Sequence, residues 1–216
     1  MELLVDKDGI RRVGSYIHSS NGQKCWPFDP LPGDIDIEVV AHHLACQSRW
    51  AGATQHPKFA ERISYSVAEH SVYVADETCK THPEFELEAL LHDGPEYVIM
   101  DLIRPIKYSP EFNAPYKKIE TLGEIAFANK FNLVYPLPAA VKRADEAVCE
   151  AENRQIVPKH KSEEWVSGLC HDNTHMASVE IAMMEPYVAK RFFLARFAEA
   201  IANREKYRPL PKDFKL

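Results

Sequence analysis

The stretch Leu90-Leu91-His92-Asp93-Gly94-Pro95-Glu96 sets an imidazole beside a carboxylate, then runs into the two residue types least compatible with a continuing helix. Adjacent nitrogen and oxygen donors are raw material for a metal site. On an unbroken helix they diverge by about 100°, so both address one ion only near a helix end, where the backbone unwinds. Gly94-Pro95 supplies such an end. An ion held by side chains takes about four ligands, and the remainder must come from other helices. His70, in SVAEHSVYVA, and Asp145, in VKRADEAVCEAE, are the candidates, each beside the apolar stripe of a helix. A charge there is costly unless paired or bound. Taken singly, each has a plainer reading: His70 as a hydrogen-bonded core histidine, Asp145 as a solvated helix acid, His92-Asp93 as polar residues at a helix end. Taken together, His70, His92, Asp93 and Asp145 offer two imidazoles and two carboxylates from three helices. That mixed set suits one divalent transition metal (Co, Mn, Zn, Fe or Ni) better than a thiolate site would.

The elements that must carry these residues read as helices. Asp36 can cap a helix whose apolar face is Val39, Val40 and Leu44, and from Ser66 a second helix puts Val67, Ser71, Val74 and Ala75 on one side. PEFELEALLHD is a third, with Gly94 as its C-terminal cap and Pro95 in the first turn of the next segment. A fourth covers APYKKIETLGEIAFANKF with Ile119, Leu122 and Ile125 in phase. A fifth begins after Pro138 with Val141, Ala144 and Val148 in phase, and Pro186 opens a last amphipathic helix that carries Phe192, Phe193 and Phe197. Between them SRWAGATQHPKFAERI is a polar connector, residues 158–174 form a polar loop, and Asn21-Gly22 can turn a small N-terminal hairpin. With no alternation of strands and helices, the expected fold class is all-α, a single helical bundle.

Composition narrows the partners. The chain of 216 residues is long enough for one domain with a real core, at 45% hydrophobic and 27% charged residues. Its 26 Lys and Arg against 32 Asp and Glu give a net charge of −6, which argues against a nucleic-acid polymer as partner. No apolar run reaches membrane-spanning length, and MELLVDKDGIRRVG lacks the apolar core of a signal peptide. The five cysteines are scattered, with no CxxC pair, as expected of a reduced, cytoplasmic protein.

The ordered set His70 in AEHS, His92-Asp93 in LLHDGPE and Asp145 in VKRAD resembles the HD-domain metal-dependent phosphohydrolases. It is most similar to the branch that contains bacterial 5'-deoxynucleotidases and small phage-type deoxynucleoside triphosphate hydrolases. The resemblance covers residues 34–155, leaving an N-terminal extension (1–33) and a loop with a C-terminal helix packed on the core (156–216). It implies an all-α HD bundle, a single divalent metal on His70, His92, Asp93 and Asp145, and a small nucleotide substrate in a homo-oligomeric protein. It matches Glu96 to the family's acid after the HD pair, and Asp101, in DLIRPIK, to the acid opening a D-L-x-x-P-x-K stretch. Lys107 matches that stretch's lysine, and Arg49-Trp50 an RW pair at the substrate pocket. This sequence departs from the family at Gly94-Pro95, where small residues are usual, and at Ile99-Met100, where a glycine commonly precedes the acid.

These roles make physical sense. Arg49 can grip a phosphoryl oxygen with its fork and Lys107 as a point charge. Glu96 or Asp101 can move the proton, and Trp50 offers a flat face to a base or sugar. The expected reaction is hydrolysis at the α-phosphorus, as a 5'-deoxynucleotidase on a deoxynucleoside monophosphate. The alternatives are a triphosphohydrolase releasing triphosphate from a dNTP, and a non-catalytic nucleotide-binding protein stapled by its metal. His42, His43 and His56 precede His70 and read as structural or pocket-lining, with His56 the exception to watch. His160, His171 and His175 read as solvent-facing residues in or beside the late loop.

Overall fold

The computed structural model describes residues 3–6, 8–59, 61–159, 176–212 and 214; His160, His171, His175 and Cys170 lie outside them. Helix takes 55% of the residues and strand 6%, so the chain is mostly helical, with two hairpins as the only sheet among the described residues. Among the described residues four short strands, β1 (Leu3–Val5), β2 (Arg11–Val13), β3 (Ile17–His18) and β4 (Lys24–Cys25), precede eight α-helices. The helices are α1 (Ile37–Cys46), α2 (Val67–Cys79), α3 (Glu86–Leu90), α4 (Glu96–Ile99), α5 (Arg104–Lys107), α6 (Asn113–Phe131), α7 (Ala139–Ile156) and α8 (Pro186–Tyr207).

The expected Asn21-Gly22 hairpin joins β3 to β4, with Ile17 opposite Cys25 and Gly22 at φ 80°. A second hairpin, β1 with β2, turns at Gly9 with φ 78°. Its strands of three residues are too short to show a period. Buried Arg12 pairs with Asp6, Asp29 and Asp34, tying the first hairpin to the loop before α1.

Helix starts obey capping chemistry. The Asp36 carboxylate accepts from Glu38 N at α1, and the Ser66 hydroxyl from Glu69 N at α2. Pro138 precedes α7 and Pro186 opens α8, as their fixed φ favours. α2 is buried on nearly every side, from Val67 through Ala75, because α1, α3, α7 and α8 surround it. Phe193 of α8 is fully buried, and Phe197 packs edge-on against Phe131 with centroids 5.5 Å apart.

Two helices differ from expectation. The PEFELEALLHD helix is α3 alone, preceded by a 3-10 turn at Pro83–Phe85 and succeeded by turns through Pro95. Gly94 is not a left-handed cap, since its φ is not positive. It is small because α6 lies on it: a Cβ there would stand 2.3 Å from Phe127 Cε1. Gly123 of α6 meets Pro95 in the same way, its Cβ 2.7 Å from Pro95 Cβ. α6 therefore buries Tyr116, Ala126, Phe127 and Phe131, whereas Ile125, expected on the inner face, is 40% exposed. Among the described residues no helix is long and apolar enough to cross a membrane.

Candidate metal centre

α2, the turn after α3, and α7 converge at one point. His70 Nε2 lies 3.2 Å from Asp145 Oδ1 and 3.6 Å from Asp93 Oδ2. His92 Nε2 lies 3.2 Å from Asp93 Oδ2 and 3.9 Å from Asp145 Oδ1. Donors about 2.1 Å from one ion stand roughly 3–4 Å from their neighbours, and these separations fall in that range. The donor atoms of His70, His92 and Asp93 all lie within 4.8 Å of one another.

Each imidazole has one nitrogen already committed. His92 Nδ1 donates to Ala89 O at 2.7 Å, because a carbonyl can only accept. His70 Nδ1 faces Glu152 Oε1 at 2.5 Å. Both Nε2 atoms are buried and have no hydrogen-bond partner among the described residues. The carboxylate oxygens come close to them without the alignment of a hydrogen bond, as donors facing a common point would. A buried nitrogen lone pair left this way is costly unless something takes it. The residues present thus fit a divalent cation.

The electrostatics agree. Burial opposes the charge on Asp93, yet His92, His70 and Arg49 hold it well below the usual carboxylate range. Burial likewise opposes ionisation of Asp145, but His70 and His92 bring it down to about 2. Burial and Arg49 press His70 toward the neutral form; Glu152 and Asp145 overcome them and raise it to about 9. In the metal-free protein a proton on His70 offsets the anionic cluster, and a cation would displace it.

Beside this point opens a cleft of about 270 Å³, lined by Arg49, Trp50, Asp101, Leu102, Ile103, Arg104, Pro105, Cys149 and Val157. Arg49 bridges the two regions: Nη1 reaches Asp93 Oδ2 at 3.3 Å and Nε reaches Glu152 Oε2 at 3.2 Å. Trp50 Nε1 donates to Glu152 Oε2 at 3.0 Å. Glu96 is buried, and its Oε2 has no partner among the described residues. Burial first, then Asp93 and Asp101, push Glu96 well above the usual carboxyl range. Asp101 is raised by burial and Asp93, against the pull of Arg49.

Lys107 is placed differently. Its ammonium sits 2.7 Å from Glu120 Oε1 and 5.4 Å from the Tyr116 ring centroid, engaged with α6. His43 donates from Nδ1 to Tyr97 O at 2.9 Å and accepts Ser20 N–H on Nε2 at 3.1 Å, a structural clasp. His56 accepts Lys58 N–H and stacks on Phe59 with centroids 4.5 Å apart, while His42 is exposed.

Three residues of the site escape sequence reasoning. Glu152 lies seven positions after Asp145 on α7, two helical turns along the same face, and that spacing is the available signal. Gln47 gives no signal, because a neutral amide in a polar connector looks like surface. It donates to Glu96 O at 2.9 Å and accepts from Asp101 N at 3.3 Å, bracing the segment between the two acids. Arg104, next to Pro105, joins the cleft wall.

No family profile matches the chain. Over 131 residues it is 38% identical to an uncharacterized protein of Rhodobacter capsulatus, across 59% of this chain and 63% of that protein. Over 142 residues it is 28% identical to the uncharacterized protein YfdR of Escherichia coli, across 66% of this chain and 72% of that protein. The chain therefore spans less than two thirds of the first relative's length.

Proposed function

We propose that this chain is a divalent-metal-dependent phosphohydrolase of the HD type, acting on a deoxynucleoside 5'-monophosphate to release inorganic phosphate. The observation that carries the reading is the pair of buried, partnerless Nε2 atoms of His70 and His92 facing the carboxylates of Asp93 and Asp145. A divalent cation held by His70, His92, Asp93 and Asp145 would supply the acidification of water and the polarisation of a phosphoryl oxygen. The chain's residues do the rest. Arg49 spends two of its nitrogens on Asp93 and Glu152, leaving further N–H donors to bind and orient phosphoryl oxygens. Glu96, whose pKa is raised by burial and by Asp93 and Asp101, is the acid that can donate a proton to the departing 5'-oxygen. Asp101, within the field of Arg49 and Lys107, takes the complementary base role. Trp50 and the apolar wall of Leu102, Ile103 and Pro105 pack on the base or sugar and exclude water. Lys107, held by Glu120, contributes long-range positive potential to the acids rather than a direct grip.

The cleft of about 270 Å³ favours the smaller monophosphate, since ligand clefts run from roughly 300 to 1,000 Å³. Arg104 in its wall is the observation that favours the second reading, a dNTP triphosphohydrolase, because a cation past Arg49 could meet the outer phosphates. A non-catalytic, metal-stapled nucleotide binder would give the unpartnered Glu96 Oε2 no task. The test is a product assay of dNMPs, NMPs and dNTPs with Mn, Co, Zn and Mg. Inorganic phosphate from a dNMP supports the first reading and triphosphate from a dNTP the second. No turnover with any pair overturns both.

A further inference from the structure

We infer that Glu152 is a positioning residue that holds the metal ligand His70 on one carboxylate oxygen and the Arg49–Trp50 wall of the cleft on the other. Metal site and substrate cleft then form one mechanical unit. The inference rests on the phosphohydrolase reading for its purpose, though not for its geometry.

Glu152 is fully buried, and four donors converge on it. Oε1 accepts Tyr65 O–H at 3.0 Å and faces His70 Nδ1 at 2.5 Å. Oε2 accepts Trp50 Nε1–H at 3.0 Å and Arg49 Nε–H at 3.2 Å. A carboxylate has about four lone-pair sites, and all are engaged.

The consequence on the first oxygen is tautomeric. With Tyr65, Trp50 and Arg49 all donating to this carboxylate, it is the acceptor toward His70 as well, so His70 presents a proton on Nδ1 and leaves the Nε2 lone pair for a cation. On the second oxygen the consequence is conformational. Trp50 (φ 57°, ψ 24°) and Ala51 (φ 51°, ψ 30°) are both left-handed without being glycine. Such residues are strained and persist only where the surroundings hold them. The two hydrogen bonds to Glu152 Oε2 are that hold. An amide cannot substitute: its oxygen serves one pair of donors while its NH2 points at the other pair.

The test is Glu152→Gln in the full chain, with two readouts that need no nucleotide. Cobalt(II) titration of the metal-stripped protein, monitored by visible absorption, should show affinity lowered 10–100-fold. Hydrogen exchange of the Trp50 indole N–H should quicken at least about tenfold, the loss of roughly 1.4 kcal/mol of protection. If the variant does not fold, 15N-histidine-labelled wild type carries the test. The His70 Nδ1 proton should resonate far downfield of an ordinary imidazole N–H and move in Tyr65→Phe, which removes its co-donor. Where a dNMP is turned over, KM should rise in Glu152→Gln even at saturating metal. Unchanged cobalt affinity, unchanged Trp50 exchange, or no downfield His70 proton overturns the inference. A wild type that binds cobalt yet hydrolyses no nucleotide overturns the phosphohydrolase reading and leaves this one standing.

Discussion

Replacing Gly94 with alanine adds one methyl group at the contact between the HD turn and α6. The new Cβ would stand 2.3 Å from Phe127 Cε1, 2.7 Å from Phe127 Cδ1 and 2.9 Å from Leu91 O. Backbone conformation adds no penalty, because the φ of Gly94 lies in the ordinary negative range. The cost is overpacking. Phe127 is 2% exposed and boxed between Tyr97 and Phe131, with ring centroids 5.8 Å away on each side, so it has little room to yield. Leu91 O belongs to the backbone of the same turn and can move only with it. Overpacking costs about 1–3 kcal/mol, and contacts this short put the variant near 3 kcal/mol. For a chain of this size that is a melting temperature lower by roughly 6–12 °C. Relief by displacing the turn would carry His92 and Asp93 with it, so cobalt affinity should fall as well. Thermal denaturation and cobalt titration of the variant measure both effects, and Gly94→Ala/Phe127→Leu should recover more than half of the stability loss. A variant melting within about 2 °C of wild type, with unchanged cobalt affinity, would refute the claim that α6 seats the turn through this contact.

The same geometry sets other outcomes. Gln47→Ala removes the brace between Glu96 O and Asp101 N beside Met100, whose φ is 69°, and should cost about 1–2 kcal/mol by urea denaturation while lowering kcat more than it changes KM. Glu96→Gln should lower kcat by about 10²–10⁴ and should stabilise the protein in a pH-dependent way. The folded pKa of Glu96 lies above its unfolded value, so the wild type loses stability as pH rises past about 4.5, by up to about 1.4 kcal/mol per pH unit. Melting temperatures of the two proteins should therefore coincide near pH 4 and diverge by pH 7.5; a constant offset would contradict the buried-acid assignment. Glu69→Gln should cost about 1–3 kcal/mol in equilibrium unfolding, because its buried carboxylate accepts Ala182, Met183 and Met184 N–H and the Tyr73 hydroxyl at once.

Much of the helical framework is legible because caps and apolar period speak locally. Asp36, Ser66, Pro138 and Pro186 mark helix starts that need no tertiary information. The four donors His70, His92, Asp93 and Asp145 are legible as residue types in order, and they meet in space. The features that sequence conceals are set by contacts between distant elements. Gly94 reads as a cap in sequence, but its size answers to Phe127 on α6. The rotation of α6, which turns Ile125 outward, comes from Gly123 resting on Pro95. Lys107 carries the right charge for a phosphate, yet Glu120 on α6 claims its ammonium. Glu152 and Gln47 are invisible to motif reading because one acts through another side chain's far nitrogen and the other through backbone groups.

The central claim is that one cation, held by His70, His92, Asp93 and Asp145, drives hydrolysis of a nucleotide phosphate ester. The direct measurement is phosphate release from a dNMP by metal-stripped protein as manganese or cobalt is added in substoichiometric steps. The account predicts a rate that is near zero without metal, rises in proportion to added metal, and levels at one equivalent, with no rise in Asp145→Ala. A rate indifferent to metal, or full metal loading with no phosphate released from any nucleotide, would contradict it.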